Sequence, residues 1–277
     1  MKTDSKIIIY DDDCPLCIAY TSAFVKMGFL DKNRRKNFSN IDAVTFALID
    51  KKKCNNQIPL IDLNSKQVWY GIDALLEILD QKIPFIKSFG NIKPIKWLLQ
   101  KFYKFISYNR KVIVATSAKT NSYDCSPDLN IPYRIYFLLF FFIFNTWMLL
   151  PLYETVFYKS FISNSSIIQL QAAHLALVCC NIFTALCLTK KTAMEYLGQV
   201  NMLALLSILL LLPLHFINKY TGVADTDINN IYLGFTSIII IKEYFRRMRY
   251  AGIIKNYFII VWIHAVSITA FFIYLIK

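Results

Sequence analysis

The sequence predicts two regions of different class: an α/β domain at the N-terminus and an all-α transmembrane region behind it. Three observations lead there. Hydrophobic residues make up 56% of the 277-residue chain and the mean hydropathy is +0.42, both above the values of an ordinary soluble domain. The excess is uneven: up to about residue 130 charged and apolar residues mix, and from Pro132 onward Phe, Leu, Ile and Tyr dominate. Finally, Cys14-Pro15-Leu16-Cys17 follows a short β-rich run, Lys6–Tyr10. The expected organisation is a domain over residues 1–115, a linker over 116–131 and a membrane region over 132–277.

Lys6–Tyr10 is an apolar run of strand length, read as a buried first strand. Asp11-Asp12-Asp13 ends it, and Pro15 suits the first turn of a helix. Residues 17–30 form that helix, with Ala19, Ala23, Phe24, Met27 and Leu30 on its apolar side. Residues 31–36 are a polar break and residues 38–50 a second strand region. Residues 58–63 make a third strand entered through Pro59, Asn64-Ser65-Lys66 a turn, and residues 67–70 the returning strand, ended by Gly71. Asp73 is placed to cap the next helix, and residues 97–107 read as a last amphipathic helix. This is the element order of a thioredoxin or glutaredoxin core.

The chemistry follows from the spacing. A cysteine at a helix N-terminus gains thiolate stabilisation from the exposed N–H groups and the helix dipole. A second thiol three residues on can attack a mixed disulfide formed by the first. A proline before the third strand can hold a cis bond facing the cysteines, which assigns Ile58-Pro59 that place. Zinc also uses C-x-x-C pairs, but a structural site needs four ligands; no second such pair exists and the three histidines lie in distant apolar segments. The carboxylates of Asp11-Asp12-Asp13 at a strand end also suggest a magnesium-dependent phosphatase, yet the region before the apolar segments is too short for the larger parallel sheet that such an enzyme needs.

Tyr10-Asp11-Asp12-Asp13-Cys14-Pro15-Leu16-Cys17 resembles the signature of the DCC family of thiol-disulfide oxidoreductases, with Asp12 where the family usually has glycine. Tyr70-Gly71-Ile72-Asp73-Ala74 is similar to the family's Gly-x-x-Ala segment, and Tyr103 with Tyr108-Asn109-Arg110 to its closing Tyr…Asn-Arg segment. The likeness covers residues 6–112. It implies a thioredoxin-like fold and dithiol chemistry without a bound cofactor. Cys14 would attack and Cys17 would resolve. Asp13 matches the motif aspartate; its charge raises the Cys14 pKa and opposes the helix dipole. Arg110 offsets the acidic cluster if it folds back beside it, and is otherwise a surface charge. Cys54, in a polar stretch read as exposed, and Cys125, in the linker, are bystanders or further redox thiols.

In the second region apolar runs approach the roughly 20 residues needed to cross a bilayer: residues 135–152, 167–188, 196–217, the shorter 231–241, and 257–276. The net charge of +13 gathers in part beside these runs, at Lys190-Lys191 and Arg246-Arg247-Met248-Arg249. That pattern suits cytoplasmic loops and leaves no need for a nucleic-acid partner. No export signal is read at the start, so the first domain is expected in the cytoplasm of a bacterial inner-membrane protein, with five spans and an outside C-terminus. His174, His215 and His264 in three spans are candidates to bind a quinone or haem, or are hydrogen-bonded packing residues. Cys179, Cys180 and Cys187 read as packing residues.

Two functional readings stand. One is a membrane-anchored thiol-disulfide oxidoreductase acting through Cys14 and Cys17 on a protein thiol or disulfide partner, with Asp13, Pro59 and Arg110 in support and an optional quinone or haem relay. The other is a non-catalytic docking or scaffold protein that keeps the thioredoxin-like shape without turnover.

Overall fold

The computed structural model describes residues 5–116, 126–222 and 225–276. Two compact units divide the chain, Met1–Tyr133 and Arg134–Lys277. The first contains β1 (Lys6–Tyr10), α1 (Pro15–Lys26), β2 (Arg35–Asn37), two one-turn helices α2 (Ala43–Ala47) and α3 (Lys51–Cys54), β3 (Pro59–Asp62), β4 (Val68–Tyr70), α4 (Ile72–Leu79), α5 (Ile86–Gly90) and α6 (Lys93–Val114). The four strands form one mixed sheet in the order β2-β1-β3-β4. β1 pairs with β2 in parallel and with β3 antiparallel, and β3 pairs antiparallel with β4.

Both faces of this sheet are covered, and side chains alternate between them along each strand. Ile7, Ile9 and Ile61 face a core completed by Phe38, Ile49 and Cys54. Ile8 and Leu60 face the opposite layer, with Leu30, Ile58, Ala74 and Ile78. A central strand buried on both sides needs an unbroken apolar run, which is why Ile7-Ile8-Ile9 shows no alternation.

Several boundaries differ from the sequence reading. The second strand is Arg35–Asn37, inside the expected polar break, and residues 38–50 are helical turns instead. Its three residues are only half-buried at the sheet edge, so hydrophobic patterning carries no signal for it. α1 stops at Lys26 because Gly28, at φ 70°, turns the chain, with the Gly28 and Phe29 N–H groups bonding back to Val25 and Phe24. α6 is longer than expected, starting ahead of Pro94 in the first turn that suits proline. The N-cap of α4 is Gly71; Asp73 lies in the first turn and pairs with Lys96 at 2.8 Å.

The expected cis bond at Ile58-Pro59 is not formed: no peptide bond among the described residues is cis. Trans is favoured intrinsically even before proline, by about 0.5–1 kcal/mol. The β1–β3 ladder ends at Ile8–Leu60, so Pro59 opens its strand at a place where a missing N–H is tolerated.

The second unit is helical: α7 (Ile131–Thr155), α8 (Ile167–Leu186), α9 (Lys190–Thr221), α10 (Thr226–Tyr250), the short α11 (Ile253–Asn256) and α12 (Ile259–Ile276). Among the described residues four of these segments, α7 with the turn after it, α8, α9 and α12, are long and apolar enough to cross a membrane. α10 falls outside that group; Asp227 and five charged residues after Ile241 dilute its apolar stretch. It nevertheless runs antiparallel along α9, with Asn218 bonded to Asn229, the Tyr232 hydroxyl to the Leu210 carbonyl, and Arg247 to Gln199. Ser166 and Gln169 form a reciprocal capping box at the start of α8.

The three histidines have three separate settings. His174 meets the Thr146 hydroxyl at 3.2 Å and His215 that of Thr155 at 2.7 Å. His264 is shared by Tyr196, Asn181 and Tyr244 at 2.5, 3.0 and 2.8 Å. Such hydrogen bonds join helices inside an apolar bundle. Among the described residues no group of three or more His, Cys, Asp or Glu side chains is arranged to hold a metal ion. Cys179 and Cys187 are exposed, and the Cys180 sulfur lies 3.2 Å from the Ser267 hydroxyl.

Candidate active site

Asp11, Asp12 and Asp13 make the turn between β1 and α1. The Cys14 N–H donates to the Asp11 carbonyl at 3.3 Å, and the Asp13 N–H to the Asp11 carboxylate at 3.0 Å. This turn leaves Cys14 in extended backbone as the N-cap of α1, with Pro15 behind it as the first helical residue. A helix starting there aims its unpaired N–H groups at the Cys14 side chain. Both cysteines are buried, Cys14 fully and Cys17 to within 4% exposure.

The two thiols form a directed pair. Cys17, one helical turn on, is the main influence on the Cys14 thiol and favours its ionised form. That influence, with the nearby Arg110 charge, outweighs burial and brings Cys14 down to about 6. Cys17 moves the opposite way, because its interaction with Cys14 and its burial both disfavour its ionised form. The two thiols are thus pushed apart in acidity, Cys14 downward and Cys17 upward.

Arg110 closes the site from α6. One guanidinium nitrogen lies 3.7 Å from the Cys17 sulfur, and another lies 3.2 Å from the Asn55 carbonyl and 3.5 Å from the Asp11 carboxylate. Burial works against its charge, but Cys17, Cys14 and Asp11 outweigh it and its pKa rises. For Asp11, burial dominates over Arg110 and Lys111, and the carboxyl is pushed above its usual range.

Two tyrosines complete the surroundings. The Tyr20 hydroxyl is 4.0 Å from the Cys17 sulfur, and Tyr103 accepts the Ile58 N–H at 3.0 Å, fixing the start of β3. Burial pushes Tyr103 up to about 12. Gly71 sits beside Tyr103 at φ 57°; a Cβ there would stand 3.2 Å from the tyrosine ring. The Ser107 hydroxyl bonds to the Asn56 carbonyl and ties α6 to the loop that carries Asn55.

Of the residues singled out in the sequence, the structure brings Cys14, Cys17 and Arg110 together. Asp13 is buried beside them in the turn, and Pro59 opens the strand whose preceding residue Tyr103 holds. The Asp11 carboxylate pairs with Arg110 at 3.5 Å. Asn55 and Tyr20 were not singled out; Tyr20, three residues after Cys17, had a helical-spacing signal, whereas Asn55 had none. Cys54, expected to be exposed, is 3% exposed in the core beside Ile7 and Ile9, and burial pushes its thiol up to about 12. Its side chain takes the inward face of the one-turn α3, where the three preceding lysines stay outside. Cys125 lies outside the described residues.

A thioredoxin-like sheet with a paired dithiol at a helix start, followed by a helical region with membrane-length apolar segments, defines the class. Residues 8–115 match the family described as DCC1-like thiol-disulfide oxidoreductase. No curated protein and no solved structure matches the chain.

Proposed function

We propose that the chain is a membrane-anchored thiol-disulfide oxidoreductase in which Cys14 attacks and Cys17 resolves. The observation that carries this reading is the buried Cys14–Cys17 pair at the start of α1, with an Arg110 guanidinium nitrogen 3.7 Å from the Cys17 sulfur. The Cys14 thiolate attacks one sulfur of a partner disulfide, forming a mixed disulfide and releasing the other partner sulfur as a thiolate. Cys17 then loses its proton to that thiolate or to water and attacks the Cys14 sulfur. The second partner thiolate leaves, the partner has gained two electrons, and Cys14–Cys17 is a disulfide. Run in reverse, the same steps oxidise a dithiol.

Arg110 supports both directions by holding positive charge beside whichever sulfur is ionised. Asp11 holds the guanidinium in place. Cys14 is buried in the reduced site, so exchange needs local opening around the β1–α1 turn. Four membrane-length helices anchor this chemistry at a bilayer; the first unit faces the cytoplasm on this reading, since basic residues cluster in the loops on its side.

The test uses the full chain in detergent. Cys17→Ser should trap a mixed disulfide through Cys14 with a disulfide-containing peptide, and Cys14→Ser should trap far less. The unaltered chain should interconvert between dithiol and disulfide in thiol buffers of graded potential. Absence of both the trapped adduct and the Cys14–Cys17 disulfide would leave the docking-protein reading in its place.

A further inference from the structure

α5 and the first half of α6 present large apolar side chains to the outside of the first unit. Phe85 is 80% exposed, Trp97 61% and Phe102 63%, and Phe89 and Leu98 are exposed with them. On α6, Trp97, Leu98 and Phe102 share one face by helical spacing. Phe85 caps α5 in left-handed backbone at φ 71°, a conformation that costs a residue with a Cβ about 1–3 kcal/mol. A strained backbone that turns a phenylalanine outward is not explained by packing within the unit.

The charge carried by α5 and α6 themselves has one sign, with Glu77 and Asp73 of α4 paired to Lys87 and Lys96. Between Asp80 and Asp124 the sequence contains no Asp or Glu; Lys82 and Lys87 bond to the Met27 carbonyl and to Glu77, while Lys93, Lys101 and Lys104 lie within or beside the apolar face. Lys101 stands over the Trp97 ring at 5.7 Å. Exposed aromatic side chains collared by lysines are the composition of helices that lie in a membrane interface, where Trp sits at the headgroup level and Lys reaches the phosphates.

We propose that α5 and the N-terminal half of α6 form an interfacial face that docks on an anionic bilayer surface. The aromatic side chains enter the boundary between headgroups and acyl chains, and the lysines meet lipid phosphates. The bilayer is the favoured occupant because the charge is complementary and because the same chain carries four membrane-length helices, so that lipid is present at high effective concentration. The proposal rests on the membrane part of the functional reading and not on its dithiol part. It adds that the helix supplying Arg110 is held against lipid.

The test uses the full chain in nanodiscs of phosphatidylcholine alone or of an equal mixture with phosphatidylglycerol. With Trp69, Trp147 and Trp262 replaced by Phe, Trp97 is the reporter. Brominated lipid should quench it in the anionic discs, and less so in the neutral ones. Each of Lys93→Gln and Lys104→Gln should lower the docked-to-undocked ratio about fivefold, and added salt should lower it further. Phe89→Ser, an exposed change, should weaken quenching without altering the circular dichroism. Amide exchange of the unaltered chain over residues 83–104 should be slower in anionic discs, a readout that survives if the tryptophan replacements impair folding. A Cys14→Ser/Cys17→Ser chain should dock equally well, which separates this face from the redox reading. Equal exchange in both discs would overturn the proposal. So would a Trp97 open to acrylamide in both discs, or one shielded from acrylamide yet untouched by brominated lipid, since protein would then be its cover.

Discussion

Arg110 and Cys17 meet at 3.7 Å across 93 positions of sequence. One guanidinium, delivered by the C-terminal half of α6, joins the start of α1, the turn after β1 and the loop before β3. The last helix of the domain thereby sets the charge balance of a motif near its first residues. The membrane-length helices follow α6 in the chain.

Arg110→Gln should therefore act on stability and on reactivity together. Removing one partner of a buried ion pair leaves the other charge uncompensated, at a cost of about 3 kcal/mol. Asp11 and the Cys14 thiolate lose their common cation, and the ionisation midpoint of Cys14 should rise by about one pH unit. Denaturant unfolding of the first unit and the pH profile of alkylation measure the two effects. Arg110→Gln combined with Asp11→Asn should recover much of the stability, because both buried charges are then gone, but not the low midpoint.

Cys14 has a pH signature of its own. Its pKa falls from an ordinary 9.0 to about 6 in the folded, reduced protein. A depressed folded-state value stabilises the fold fully above the unfolded pKa, and that contribution is lost as pH falls through the folded one. The reduced form should gain stability from pH 6 to pH 9, whereas the Cys14–Cys17 disulfide form, with no thiol to ionise, should lack this slope. Alkylation of Cys14 should climb through pH 6 and then level, and Cys17, its pKa displaced upward, should lag at every pH. Mass spectrometry of partially labelled protein separates the two sites; earlier labelling of Cys17 would reverse the assignment of attacking and resolving thiols.

Cys54 distinguishes a third redox thiol from a packing residue. It is buried against Ile7, Ile9 and Ile61, and its thiol is held protonated by burial. Cys54→Ala should cost about 1 kcal/mol through the small cavity it leaves and leave the Cys14–Cys17 reduction potential unchanged. A shift in that potential, or a Cys54 disulfide in the oxidised protein, would give it a redox role.

The sequence made the site's local part legible and left its long-range part hidden. A strand of consecutive isoleucines, a cysteine pair at a helix start and a proline at a strand start are each fixed by neighbours within a few residues, so their spacing carries the signal. The placing of Arg110 is not: its guanidinium reaches the Asp11 carboxylate from the far end of the domain's sequence, in a turn where that carboxylate also accepts the Asp13 N–H. Arg35-Lys36-Asn37 pairs with β1 despite a composition poor in strand formers, because the parallel ladder Ile8–Arg35 to Tyr10–Asn37 overrides local preference. Cys54 misled for a similar reason, since three lysines before it describe one face of a turn and it occupies the other.

The last prediction concerns α10. By composition it falls short of a span, with Asp227 near its start and Lys242, Glu243, Arg246, Arg247 and Arg249 near its end. Its neighbour argues otherwise. α9 is 32 residues long and apolar enough to cross. α10 runs antiparallel beside it, from the Asn218–Asn229 bond at one end to the Gln199–Arg247 bond at the other. Two helices paired over that length occupy the same slab, so if α9 crosses, α10 crosses with it. Ile231, Phe235, Ile238 and Ile241 point outward from α10 at helical spacing, as a lipid-facing stripe should. Its charges lie mostly at the basic end, where Glu243 bonds to Arg246 and Arg247 and Lys242 can extend to the interface. Counting α10 gives five crossings and puts Arg134, Lys190, Lys191 and the 246–249 cluster on one side, the side of the first unit, where each basic residue near anionic lipid is favoured by about 1 kcal/mol. Fusing to the C-terminus a reporter active only outside the cytoplasm should give signal, and a cytoplasm-only reporter at the same place should stay silent. The opposite pair of results would mean an even number of crossings and would place α10 along the membrane surface instead of through it.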